Sequence, residues 1–118
     1  MEIAQLEAAK VAFDNEFEGL DDGKLLHRQI VQLAAAYLKL RIDWSSSDLA
    51  GRIEIDATRT KAHDAFIAIF DAFTRRAAAR GSTLAWRRVF GTGGAAEERK
   101  RLGDFACYLA FDLAIRAR

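Results

Sequence analysis

The sequence predicts an all-α protein: an antiparallel bundle of about four long helices plus one short helix, in a single domain over residues 1–118. Three observations carry this. No proline occurs, so no backbone amide donor is lost and long helices are permitted throughout. Apolar residues recur at three- and four-residue steps in several separate stretches, the period of a helix face. Short glycine- and serine-rich clusters at 19–23 (GLDDG), 44–47 (WSSS), 81–82 (GS) and 91–94 (GTGG) separate those stretches.

The first helix is expected over 2–18, with Ile3, Leu6, Phe13 and Phe17 at helical spacing. The second, over 22–43, begins behind Asp21-Asp22, a pair suited to capping and to the positive end of the helix dipole. Its apolar row, Leu26, Ile30, Leu33, Tyr37, Leu40, Trp44, advances in alternating fours and threes, the seam of helices packed at a shallow angle. A third helix starts at Ser47 or Asp48 and reaches Arg80, where Gly81 suits a left-handed terminus. Its length and the two threonines of Ala57-Thr58-Arg59-Thr60, weak helix formers, predict a kink or break there. A short helix is expected over 83–90. The last long one, over 95–117, opens with Glu97-Glu98 and closes with Arg116 and Arg118, in the sense the dipole prefers.

Composition bounds the function classes. With 51% hydrophobic and 30% charged residues the chain has the balance of a folded globular protein. The single cysteine, Cys107, sits in an apolar run and fits a reducing, cytoplasmic setting. Neither a signal peptide nor an apolar run of the roughly 20 residues a membrane span requires is present, so no membrane partner is expected. The formal charge of +1 conceals a gradient: −3 over residues 1–44, +1 over 45–81 and +3 over 82–118. These magnitudes are too small to name a polyanionic partner.

The last helix is apolar on two sides, with Leu102, Phe105, Leu109 and Leu113 on one and Tyr108, Phe111 and Ile115 on another. A second buried face in a domain of this size points to a homodimer. The third helix breaks bundle logic. Its three-and-four row reads Leu49, Ile53, Asp56, Thr60, His63, Ile67, Phe70, Thr74, placing polar groups at successive core-type positions. Asp56, Arg59 and His63 lie one turn apart, and Asp104, Tyr108 and Asp112 form a second polar line on the last helix. If the two lines meet, Asp56, Arg59, His63, Asp104 and Tyr108 form a polar cluster: either a network that sets helix register or a ligand pocket.

The order His27, His63-Asp64, then Asp104 or Asp112 resembles the ligand order of the HD-domain metal-dependent phosphohydrolases, which are also helical. The resemblance implies that His27, His63, Asp64 and Asp104 hold a divalent metal that activates water against a phosphate. A further alternative is nucleic-acid binding, through the basic patch of Arg87, Arg88, Arg99, Lys100 and Arg101 beside Trp86 and Phe90. The 91–94 stretch, ahead of a helix start, has the composition of a flexible turn or of an anion cradle, with Glu97-Glu98 opposing an anion. No phosphate-binding loop, paired Cys-x-x-Cys or nucleophile elbow occurs. The leading expectation is therefore a homo-oligomeric, non-catalytic binding or interaction module, with no catalytic residue, cofactor or metal assigned.

Overall fold

The computed structural model describes residues 1–91 and 94–116. Five helices follow one another: α1 (Ile3–Asn15), α2 (Gly23–Ser46), α3 (Leu49–Ala79), α4 (Ala85–Arg88) and α5 (Ala95–Arg116), with no strand among the described residues. The middle of the 91–94 stretch, Thr92-Gly93, and the terminal Arg118 lie outside the described residues.

Local chemistry sets the helix ends. The Glu2 backbone N–H donates to the Gln5 side chain at 3.1 Å, filling an orphan donor at the start of α1. The α1–α2 corner depends on Gly23, where an added Cβ would lie 2.5 Å from the Phe17 carbonyl oxygen, a separation no other residue tolerates. At α3, Asp48 accepts from the Gly51 N–H at 2.9 Å, and Gly81 at φ +87° follows the last turn as expected. Leu84 takes a left-handed φ of 56°, unfavourable for a side chain by about 1–2 kcal/mol. It is held there by packing against the core and by its N–H donating to Ser82 Oγ at 3.1 Å.

The break expected at 57–60 does not occur, and α3 runs 31 residues without interruption. Weak formers each cost only a few tenths of a kcal/mol, and without a proline no hydrogen bond is lost. Packing along α2 outweighs that cost. Arg52 lies over the Trp44 ring at 4.4 Å and Arg59 at 4.9 Å, so the far part of α3 is clamped to α2.

Pairings fix the directions. Trp44 meets Arg52, Tyr37 meets His63 and Asp22 meets Arg76, so α2 and α3 form an antiparallel hairpin. Arg41 meets Asp104 and Val31 shares a groove with Leu113, so α2 also runs antiparallel to α5. α2 therefore lies between its two most extensive neighbours. The last helix, expected to run antiparallel to the third, instead runs the same way as α3. The 80–94 connection returns the chain across the core, seating Trp86 and Phe90 on the way.

That core is aromatic. Seven of the eight phenylalanines are buried, all but Phe111, and Phe13 is their hub. Its ring lies 4.9 Å from Phe17, 5.5 Å from Phe73, Trp86 and Phe105, and 5.6 Å from Phe70, mostly edge-to-face. The buried residues of α3 are Phe66, Phe70, Phe73 and Ala77; the row beginning at Leu49 meets the core at Phe70, while its first members Leu49 and Ile53 are 76% and 70% exposed. The core thus occupies one end of the α2–α3 hairpin. The other end, including Leu49, Ile53 and Ile42, projects past it within an envelope of 47 × 36 × 25 Å. Replacing Phe13 with alanine should cost about 3–5 kcal/mol in denaturant unfolding, whereas Ile53→Ala should cost well under 1 kcal/mol; comparable losses at both sites would contradict this placement of the core.

Candidate functional site

Where α2, α3 and α5 converge on the hairpin side of the core, a cleft of about 410 Å³ is lined by Tyr37 and Arg41 from α2, Arg59 and His63 from α3, and Arg99 and Lys100 from α5. Trp44 and Ser45 complete its rim. Beside the cleft, Gly103 of α5 leaves room for two of its rings. A Cβ on Gly103 would stand 3.2 Å from both His63 Nε2 and the Tyr37 hydroxyl oxygen, so a side chain there would make both rings give by a few tenths of an ångström.

Each guanidinium in the cleft is held by a carboxylate. Arg59 donates to Asp56 at 2.8 Å, Arg99 to Asp64 at 2.7 Å and Arg41 to Asp104 at 3.4 Å. None of the three carboxylates lines the cleft itself. They pin the arginines while leaving cationic groups facing the space between the helices. The Nε of Arg59 is buried and has no hydrogen-bond acceptor.

His63 is clamped by a single residue. Its Nε2 lies 3.1 Å from the Arg99 backbone oxygen and its Nδ1 lies 3.3 Å from Arg99 Nη2. A carbonyl only accepts and a guanidinium only donates, so the proton resides on Nε2 and Nδ1 accepts. Protonating Nδ1 would set two donors against each other. Burial first, then the Arg99 charge, hold the imidazole below its ordinary value of 6.5, against the opposing pull of Asp64. The ring also stacks beside Tyr37, with centroids 4.9 Å apart.

The structure divides the cluster expected from sequence. Arg59 and His63 line the cleft and Asp56 braces it from outside, whereas Asp104 and Tyr108 open onto a neighbouring groove. Asp104 sits between Arg41 and the amino terminus, 3.7 Å from the Met1 nitrogen. Tyr37, Arg41, Trp44 and Gly103 do not figure in the sequence reading of the site. Tyr37 and Trp44 belong to an apolar helical row and read as core there, and a glycine inside a helix carries no sign of what approaches it.

The four HD-like residues are not gathered into one centre. His27 packs against Phe13 and Phe17 and lies 2.9 Å from Asp14, near the start of α2, while His63 lies beside Arg99. Since α3 is unbroken at His63-Asp64, those neighbours diverge by about 100° around the helix axis. Asp64 turns outward to Arg99, and no group of three or more His, Cys, Asp or Glu capable of holding a metal occurs among the described residues. At Asp14, burial opposes ionisation but the hydrogen bonds from His27 and Lys10 prevail, keeping its carboxyl below the ordinary value.

The basic patch expected over 87–101 is dispersed. Arg87 bridges Asp71 and Glu98 at 2.8 and 2.7 Å and lies over Phe70, holding α3, α4 and α5 together. Arg88 is exposed and Arg101 half-buried, while Arg99 and Lys100 face the His63 cleft. Cys107, half-buried with its Sγ 3.5 Å from Arg41, has its thiol pushed up by burial, which disfavours the reactive thiolate.

The clamp on His63 has a measurable consequence. With a folded-state value below 6.5, the folded chain binds fewer protons than the unfolded chain in weak acid. This part of the stability is complete above pH 6.5 and falls as the pH drops through the unfolded value. Chemical denaturation from neutral to weakly acidic pH should show that loss, and His63→Gln should flatten it; an unchanged slope in the variant would mean that another group is responsible. Comparison of the chain with protein-family models, with curated proteins and with solved structures finds no match.

Proposed function

We propose that the chain is a non-catalytic binding and interaction module that works as a homo-oligomer, pairing through the second apolar face of α5. The observation that carries this reading is the exposure of Phe111 and Ile115, each more than half open, on the last turns of that helix. Phe111 is the one phenylalanine outside the core, 59% exposed. Burying the exposed part of that ring contributes about 1–2 kcal/mol, an incentive the isolated chain leaves unused.

Phe111 stands on the rim of an open groove of about 770 Å³ lined by Met1, Leu6, Leu38, Ile42 and Tyr108. Ring and groove belong to the same face, so a two-fold axis there would let each copy seat its Phe111 in the other's groove, the self-complementarity that a closed dimer requires. Arg41 and Asp104 line that groove as well, so two copies would bring opposite charges into register.

Light scattering or sedimentation at micromolar concentration should give twice the 13.1 kDa chain mass, and Phe111→Glu should return it to 13.1 kDa with helical circular dichroism intact. A wild-type chain that remains at 13.1 kDa overturns the reading.

A further inference from the structure

We propose that the cleft around His63 is a binding site for a phosphate-type dianion, either inorganic phosphate or the phosphate group of a small monoester. The cleft shares Arg41 and Ser45 with the groove holding Phe111, but Arg59, His63, Arg99 and Lys100 line the cleft and not that groove, so anion binding is read separately from self-association.

Charge is the first argument. Four cationic side chains, Arg41, Arg59, Arg99 and Lys100, converge from three helices, and no carboxylate lines the space between them. Their partners Asp56, Asp64 and Asp104 act from outside, so the guanidiniums are oriented before any ligand arrives. Lys100 has no carboxylate partner among the ion pairs of the described residues.

Donor geometry is the second argument. Arg41, with 42% of its side chain exposed, and Arg59, with 29%, keep guanidinium N–H groups within reach of a ligand in the cleft. Guanidinium N–H groups, a lysine ammonium and the Tyr37 hydroxyl make a donor set reaching from several sides. A tetrahedral oxyanion offers oxygens in all those directions; a carboxylate offers only two in one plane.

Ring occupancy narrows the ligand. Trp44 already carries Arg52 and Arg59, and Tyr37 carries His63. With arginines stacked on Trp44 and Tyr37 buried against His63, the cations are the groups most open to a ligand, and recognition rests on the anion. The cleft volume of about 410 Å³ falls in the range of small-molecule sites and leaves space for a short organic group beside the phosphate.

The test follows the two histidine rings of the full-length chain by proton NMR, titrated in sodium phosphate and in sodium chloride at matched ionic strength. His63 faces Tyr37 and Arg41 of α2, Arg59 and Asp64 on its own helix, and Arg99 and Lys100 of α5. A dianion among these groups favours imidazolium, so the His63 midpoint should rise in phosphate, while His27, paired with Asp14, should not move. Lys100→Gln and, separately, Arg59→Gln should each weaken phosphate binding about tenfold, the loss of one charge-assisted bond of about 1.4 kcal/mol. Lys100 is exposed and braces no other helix, so its variant reports on binding even if Arg59→Gln loosens the hairpin.

A His63 midpoint identical in the two salts overturns the proposal, as does a phosphate affinity unchanged by both substitutions. So does a single-stranded oligonucleotide that binds the chain and is not displaced by phosphate, since the basic groups would then serve an extended polyanion.

Discussion

Everything in this fold depends on one cluster of rings. Phe13 brings α1 into contact with Phe70 and Phe73 of α3, Trp86 of the connecting segment and Phe105 of α5. Each ring hides a large apolar area, and edge-to-face contacts add a directional preference that aliphatic packing lacks. Cys107 is a free thiol, so no covalent brace holds the helices together. Their relative placement rests on these rings and on a few polar ties at the periphery. Glu16 is one such tie: Trp86 Nε1 donates to its carboxylate at 2.8 Å, and the Ser82 hydroxyl donates to the same oxygen. The end of α1 is thereby secured to the loop that follows α3.

Helix positions were readable from apolar spacing because spacing reports local geometry. The α2 row shows this well: Ile30 and Tyr37 are buried and Leu26, Leu33, Leu40 and Trp44 are half-buried, so the three-and-four pattern marked the packed face correctly. α3 was harder. Its first half carries an equally regular row, but no partner covers it, and periodicity cannot tell a face with a partner from one without. The direction of α5 is not legible in the sequence for a related reason. Antiparallel order follows when turns are short, and the 80–94 segment is long enough to span the core before α5 begins.

The polar cluster was half legible. Two residues a turn apart on one helix share a face by geometry alone, which is why Asp56 and Arg59 pair as expected. Which side chains come from other helices depends on register between helices, and that is set by the aromatic core some distance away. Hence Tyr37 and Arg41 enter the cleft, while Tyr108, one turn beyond Asp104, opens onto a different groove. The arginines show a division of labour. Arg87 bridges two carboxylates inside the fold, Arg76 bonds Asp22 through two nitrogens at 2.6 and 3.0 Å, and Arg41, Arg59 and Arg99 are braced yet open.

The hairpin end beyond the core has a kinetic consequence. Residues 49–62 of α3 contribute no buried side chain, so opening those turns forfeits the stacking of Arg52 and Arg59 on Trp44 but little packing. Amide protons there should exchange with solvent through local fraying, on a timescale separate from that of the Phe13 region, which exposes its amides only when the whole molecule opens. The two tryptophans divide along the same line, Trp44 on the projecting arm and Trp86 in the interior, so one chain carries a separate optical reporter for each kind of opening.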